Sequence, residues 1–335
     1  MLKTNILITG TGGCGVGEGV YKSLCQFEEY RLFSCNSSDN SLFLFNNAED
    51  SFIVPVATTE NYYKTIVNIC RQHQINVIIP GSEHELLVLV NHRETFRKNG
   101  ITILANTNTV INTFNNKWET FVALKSQSIK TPDSTLDIKD GDFFKRNSFP
   151  LVIKPVVGNA SKNVFVVNHK AELECIANYL IMKNVPFVVQ EHIGSADEEY
   201  TISVLSDFSG NYIGSIVFKR ILAGGFSQYI ECEKFPELDD IAQNIASKVN
   251  SKGPLNIQCR IMNGELYVFE INPRFSGTTS LRAMVGYNEP DVLLRRHLFQ
   301  EEIPSHFRYD TGFITRGLSE TAISPEMTSR VQFMT

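Results

Sequence analysis

The sequence predicts a parallel α/β sheet followed, from near residue 120, by antiparallel α+β structure. Three observations carry this. The opening stretch "NILITGTGGCGVGEGVYKSL" reads as a buried strand, a glycine-rich turn and a helix. Strand-like and helix-like segments then alternate as far as "ITILA", the pattern of parallel strands joined by crossover helices. Beyond that point, β-rich runs come in pairs around short polar turns, as in "VLSDFSGNYIGSIVF" about Ser-Gly-Asn, which marks antiparallel hairpins.

At 335 residues and 42% hydrophobic, the chain can bury a sizeable core and hold two or three subdomains. A net charge of −5 without a long basic run argues against nucleic acid as the main partner. No apolar stretch approaches the roughly 20 residues needed to span a bilayer. The start, "MLKTNILITG", runs directly into a strand without a signal-peptide pattern, so the expectation is a cytoplasmic protein with no membrane partner. The seven cysteines form no CxxC pair and fit reduced thiols. The seven histidines show no metal-ligand spacing.

Gly10, Gly12 and Gly15 match GxGxxG, whose glycines permit a tight turn and close approach of the backbone to a ligand. A dinucleotide site would also need an acid at the end of the second strand. Here that strand ends "SCNSSD", with Asn36 and Ser37 in its place, so the glycines read as architectural.

In "VFEINPRFSG", Glu270, Asn272 and Arg274 fall at every second position and share one face of a strand. Phe269 and Ile271 then point the other way, toward a core. A carboxylate beside an amide is costly to bury without a cation or hydrogen bonds. From the residues alone, a metal site and a strand end meeting water both stand. In "FPLVIKPVVGNASKNVFVV", two β runs flank a loop of small residues whose N–H groups suit phosphate oxygens, with Lys154 adding a point charge. An ordinary flexible loop is the other reading.

Taken together, "NKWETFVALKSQSIKTP", "FPLVIKP", "VVQEHI…EEYTISVL", "NIQCRI" and "VFEINPR", in this order, resemble the ATP-grasp superfamily and its carbamoyl-phosphate-synthase-like small ligases. The resemblance implies a Rossmann-like pre-ATP-grasp domain with a parallel sheet (1–112). A two-subdomain ATP-grasp fold with antiparallel sheets would follow: a small lid (113–192) and a large carboxy-terminal part carrying the metal site (193–335). It implies ATP with Mg²⁺ (or Mn²⁺) as cofactors. Lys117 and Lys154 would meet the nucleotide phosphates, with Gly158 and Ser161 in the phosphate loop. Glu191, His192 and Ile193 would meet the adenine, and Glu199 the ribose. Gln258, Glu270 and Asn272 would bind the metal, and Arg274 would face the transferred phosphoryl group, so Arg274 and Lys154 are the catalytic candidates. The chain departs from the family in having Asn116 before Lys117 where Asp is usual, and "GNASKN" for a glycine-richer loop. Lys162 in that loop either replaces backbone contacts or sits in solvent.

Joint metal binding requires Gln258 and Glu270 on one face of the hairpin "NIQCRIMNGELYVFEIN". A two-residue Asn263-Gly264 turn would pair 262 with 265 and set Gln258 opposite Phe269, on the wrong face. A three-residue loop, 262–264, supplies the missing offset, placing Gln258 opposite Val268 and diagonal to Glu270 at roughly 7–8 Å. Direct pairing of 262 with 265, with no compensating bulge, would defeat the metal reading.

The activity implied is transfer of the γ-phosphate to a substrate carboxylate, giving an acyl phosphate that an amine attacks to form an amide. Arg282 is a candidate grip for the substrate carboxylate or a surface helix residue. Glu83, after "VIIPGS", either holds a substrate ammonium or caps its helix. Arg316, in the late strand "GFITRGLSE", is a candidate to close the substrate pocket. Lys219 and Arg220 either reach the phosphates or are solvated strand-end charges. A carboxyphosphate- or carbamoyl-phosphate-forming enzyme and a non-catalytic nucleotide-binding protein are the rival readings. The partners expected are small carboxylate and amine substrates, with a homodimer implied by the family.

Overall fold

The computed structural model describes residues 3–13, 15–39, 50–158, 162–302, 308–317, 329–330 and 332–334. Strand β1 (Thr4–Thr9) divides its side chains between two layers: Ile6 and Ile8 enter one hydrophobic cluster and Leu7 the other. Helix α1 (Val16–Leu24) covers the first face. After β2 (Tyr30–Asn36) and β3 (Ser51–Ile53), helix α2 (Asn61–Gln72) covers the second. Strand β4 (Val77–Ile79), helices α3 (Glu83–Asn91) and α4 (Arg93–Lys98), and β5 (Thr102–Ile103) complete the unit. These strands pair in parallel in the order β3-β2-β1-β4-β5. The chain leaving β1 and the turn after β4 pass at backbone contact. A Cβ on Gly17 or Gly81 would collide with the Thr9 carbonyl, so neither tolerates a side chain.

Helices α5 (Asn108–Phe114) and α6 (Lys117–Ser126) lead to a small antiparallel sheet. It comprises β6 (Ser134–Thr135), then, past α7 (Gly141–Arg146), β7 (Leu151–Pro155), β8 (Phe165–Val167), α8 (Lys170–Met182) and β9 (Phe187–Glu191), ordered β6-β9-β7-β8. This lid has a core of its own around Phe143, Ile153, Leu173 and Val189.

The large sheet follows with β10 (Glu199–Ser206), β11 (Tyr212–Ala223) and β12 (Phe226–Cys232). Helix α9 (Pro236–Lys248), β13 (Pro254–Met262), β14 (Glu265–Asn272), α10 (Thr279–Met284), α11 (Glu289–Leu294) and β15 (Gly312–Thr315) come next. Its order is β14-β13-β10-β11-β12-β15, antiparallel throughout. Along β11, Ile216 and Phe218 pack into the cluster that also holds Ile6 and Val20, while Val217 packs against the α9 side. The parallel domain and the large sheet therefore share one core.

Two sets of contacts cross the expected boundaries. Val110, Phe114 and Leu124 pack with the large sheet, so α5 and α6 lie with it and the lid's own core begins later than residue 113. At the other end, β16 (Gln332–Phe333) returns to pair in parallel with β3. Among the described residues no helix is long and apolar enough to cross a membrane, and the six described cysteines are free.

The β13–β14 hairpin corrects the expected turn. Met262 pairs directly with Glu265 around Asn263 (φ 54°) and Gly264 (φ 76°), the positive-φ pair of a two-residue turn. The three-residue loop is not formed. The offset comes instead from a bulge further along: Cys259 pairs with Val268, but Gln258 pairs with Glu270. Val268 and Ile271 thus both reach the core, and Gln258 stands opposite Glu270 rather than diagonal to it. Phe269, expected in the core, is displaced into a cleft that it lines.

Candidate active site

Two clefts meet on the large sheet. The smaller, about 250 Å³, lies between the lid and the β13–β14 hairpin. The larger, about 530 Å³, lies between the carboxyl ends of the parallel strands and the large sheet. Open α/β sheets place ligands at such strand ends. Arg220, Gln258 and Arg274 line both.

The lid contributes Lys154, on β7 and only 5% exposed. Its Nζ donates to Gln190 Oε1 at 2.7 Å and to the Phe269 carbonyl at 3.4 Å. Gln190 is held in turn by Ser134, to which its amide donates at 2.9 Å. Burial pushes the Lys154 pKa down to about 8, against the pull of the Glu270 charge. Lys117 is the first residue of α6, whose N-cap is Asn116: its amide oxygen accepts from the Trp118 and Glu119 N–H groups. An aspartate would accept the same bonds, so Asn116 keeps the local geometry. Lys117 Nζ donates to the Gly158 carbonyl at 2.7 Å and lies 3.7 Å from Glu270. Lys162 is exposed at the rim, and Ser161 lies outside the described residues.

Glu191, His192 and Ile193 line the same cleft where β9 ends. The Glu191 carboxylate accepts from the Asp133 N–H at 3.2 Å, and the Ile193 carbonyl accepts from Arg260 at 3.1 Å. Burial, helped by Arg260, lowers the His192 pKa.

The floor is formed by alternate residues of β13 and the end of β14. Cys259 and Ile257 face the core, so Gln258 and Arg260 face the cleft. Each candidate metal-ligand oxygen has a cation beside it. Gln258 Oε1 accepts from Arg220 at 2.9 Å, Asn272 Oδ1 from Arg274 at 3.2 Å, and Glu270 faces Lys117. One carboxylate and two amide oxygens turned toward positive groups are a donor set that suits a hard divalent cation. Among the described residues no cluster of three His, Cys, Asp or Glu side chains offers a competing metal site.

Glu199 is held by two arginines. Arg220 donates to one of its oxygens at 3.2 and 2.8 Å, and Arg260 to the other at 3.1 and 2.8 Å. Four N–H groups fill the roughly four acceptor sites of a carboxylate. Glu199 therefore clamps two arginines while lining the smaller cleft. Arg260 was missed from sequence, although 256, 258 and 260 alternate and place it on the cleft face. Gln190 and Phe269 were also missed; only the lid packing and the bulge bring them in.

In the larger cleft, Ser82 caps α3 and Glu83, in its first turn, reaches across 191 positions to Arg274. Arg274 Nε donates to the Glu83 carboxylate at 2.8 Å and Nη2 bonds the same oxygen; Nη1 donates to the Phe275 carbonyl at 2.8 Å. Glu83 is thus neither a helix cap nor a free carboxylate. Arg316 lines this cleft and donates through Nη2 to the Gly277 carbonyl at 2.6 Å, while its buried Nη1 has no partner among the described residues. Arg282 is excluded as a substrate grip: it is wholly buried, paired with the equally buried Glu289 at 2.7 Å and bonded to Asn256 and Ser276. Lys219 turns to Glu198 at 3.2 Å and lines neither cleft. Arg220, its neighbour, turns inward instead.

Parts of the chain match known families. Residues 114–278 match the ATP-grasp domain and residues 14–104 the PylC-like N-terminal domain. Residues 114–278 thus form an ATP-grasp domain. It is 23% identical over 303 residues to the arginine-specific carbamoyl phosphate synthase large chain of Bacillus subtilis, covering 84% of this chain and 29% of that protein. The D-alanine–D-alanine ligase of Fusobacterium nucleatum is 28% identical over 186 residues, 50% of this chain and 61% of the ligase. The chain thus spans less than a third of the synthase it matches. In fold it is similar to the biotin carboxylase domain of Hydrogenobacter thermophilus 2-oxoglutarate carboxylase, with TM-score 0.70 and 15% identity over 93% of this chain and 74% of that one. Staphylococcus aureus N5-carboxyaminoimidazole synthetase aligns with TM-score 0.66 and 14% identity over 94% and 80%. The chain has the two antiparallel sheets and the parallel domain that the sequence predicts.

Proposed function

We infer that the protein is an ATP- and Mg²⁺-dependent carboxylate–amine ligase. The observation that carries this is the bulge that sets Gln258 opposite Glu270, beneath Lys117 and Lys154. Gln258, Glu270 and Asn272 would hold the metal, which when bound neutralises charge on the phosphates and on the group in transfer.

This chain's own residues then have distinct tasks. Lys154, desolvated on β7, presents its charge to a phosphate oxygen with little competition from water. Lys117, tied to the Gly158 carbonyl, fixes the loop edge over the same anion. The cleft walls at Glu191, His192 and Ile193 receive the base. Arg220 and Arg274 line both clefts, where the γ-phosphate and an acid substrate would meet, and their guanidinium groups suit both anions. The carboxylate oxygen attacks the γ-phosphorus as the bond to ADP breaks; the amine then displaces phosphate. Positioning and electrostatics supply the catalysis. Arg316 remains a candidate for holding the acid in the larger cleft.

Similarity to carbamoyl phosphate synthase over most of the chain favours a second reading, in which bicarbonate is the acid. The biotin carboxylase domain that resembles it is a dimer, which supports a homodimer here. The deciding experiment screens small acids with MgATP and hydroxylamine as the trap. A hydroxamate formed from one organic acid, with matching ADP, is the expected result. ADP release with bicarbonate alone would favour the second reading, and no acid-dependent ADP at all would leave a non-catalytic nucleotide-binding protein.

A further inference from the structure

Arg274, at the end of the floor, takes its carboxylate partner, Glu83, from the opposite domain. It spends Nε and Nη2 on Glu83, part of Nη2 on Asn272 and part of Nη1 on Phe275, which leaves one N–H uncommitted. Glu83 neutralises its charge, and the pair is largely withdrawn from solvent, with side-chain exposures of 12% and 19%. Both side chains line the larger cleft, and Arg274 also reaches the smaller one. An arginine held by a carboxylate in this way offers a phosphoryl group a weaker field, and the carboxylate itself repels the incoming anion.

We propose that Glu83 is a positioning residue that holds Arg274 toward the larger cleft and withholds it from the nucleotide phosphates until a substrate carrying a cationic group engages Glu83. The proposal rests on the ligase reading and adds to it a reason for the enzyme not to spend ATP on water. Release of Glu83 frees two N–H groups of Arg274 for the γ-phosphate, on the same strand end as the metal ligands.

The test is binding of the non-hydrolysable analogue AMP-PNP with Mg²⁺ by calorimetry, on wild type, Glu83→Gln, Arg274→Gln and the double variant. Thermal melting would confirm that each folds, and Glu83→Ala serves if the glutamine variant does not. Glu83→Gln is expected to bind about tenfold more tightly and to release ADP from ATP faster without any acid, water taking the γ-phosphoryl group. In the Arg274→Gln background the Glu83 substitution should change nothing. Loss of structure weakens binding, so a gain separates a positioning role from a merely structural one. Unchanged or weaker binding by Glu83→Gln, or a gain that persists without Arg274, overturns the proposal. Absence of AMP-PNP binding in wild type overturns the ligase reading and this proposal with it.

Discussion

The two clefts are built differently. The floor of the smaller one comes from adjacent strands, Gln258 to Asn272, with Arg220 two strands away on β11 and Lys117 reaching it from the head of α6. The larger one gathers groups from residues as far apart as Gly10, Glu83, Arg220 and Arg316. A site made of neighbouring strands is fixed by register, whereas a site made of strand ends is fixed by how whole domains dock. On the proposed function, damage to the first should abolish chemistry at constant fold, and damage to the second should alter substrate dependence or stability.

The largest effect is expected at Glu270. Glu270→Ala removes the carboxylate facing Gln258 while Val268 and Ile271 still anchor the strand. ATP turnover should fall about a hundred- to a thousandfold, with an unchanged melting temperature. Turnover within a few-fold of wild type would end the metal reading.

Arg282→Leu should do the reverse. It strands the wholly buried Glu289 carboxylate, so denaturant unfolding should show a loss of about 3–5 kcal/mol. Below its unfolding temperature kcat/KM should stay near wild type, because Arg282 lines neither cleft. A selective rise in KM for the acid would return it to the substrate site.

Lys154 gives a smaller effect with a definite sign. Burial holds its pKa in the folded protein at about 8, below the ordinary lysine value of 10.5. A phosphate oxygen beside it would raise that pKa, so nucleotide affinity is full below about pH 8 and falls above it, by up to about tenfold per pH unit. The same depression makes the unfolded chain bind more protons between about 8 and 10.5, so this group's contribution to stability rises with pH through that window. Lys154→Arg, which stays charged, should flatten the affinity profile. Equal pH dependence in the two proteins would remove Lys154 from the phosphates.

The sequence disclosed the parallel domain, the two antiparallel sheets and the residues of the floor, because strand periodicity and motif order are local. It did not disclose what binds those residues in the absence of a ligand. Nothing near Glu199 in the sequence announces that Arg220 and Arg260 converge on it from the strands on either side. Glu83 and Arg274 were each singled out, but their pairing depends on docking across 191 positions. Arg282 misled because an arginine on a short polar helix reads as exposed, and only the helix after it supplies the buried Glu289.

The hairpin turn gives the smallest effect and separates two ways of setting the floor. Gly264 sits at φ 76°, and a Cβ there would touch nothing within 4 Å, so Gly264→Ala meets only backbone strain. That costs about 1–2 kcal/mol for a single left-handed residue. The bulge at Phe269 lies between the turn and the floor and sets the pairing of Gln258 with Glu270 independently of the turn. The variant should therefore lose this much stability and keep its AMP-PNP affinity. A matching loss of affinity would mean that the register is transmitted from the tight turn, and that the bulge follows the turn rather than correcting it.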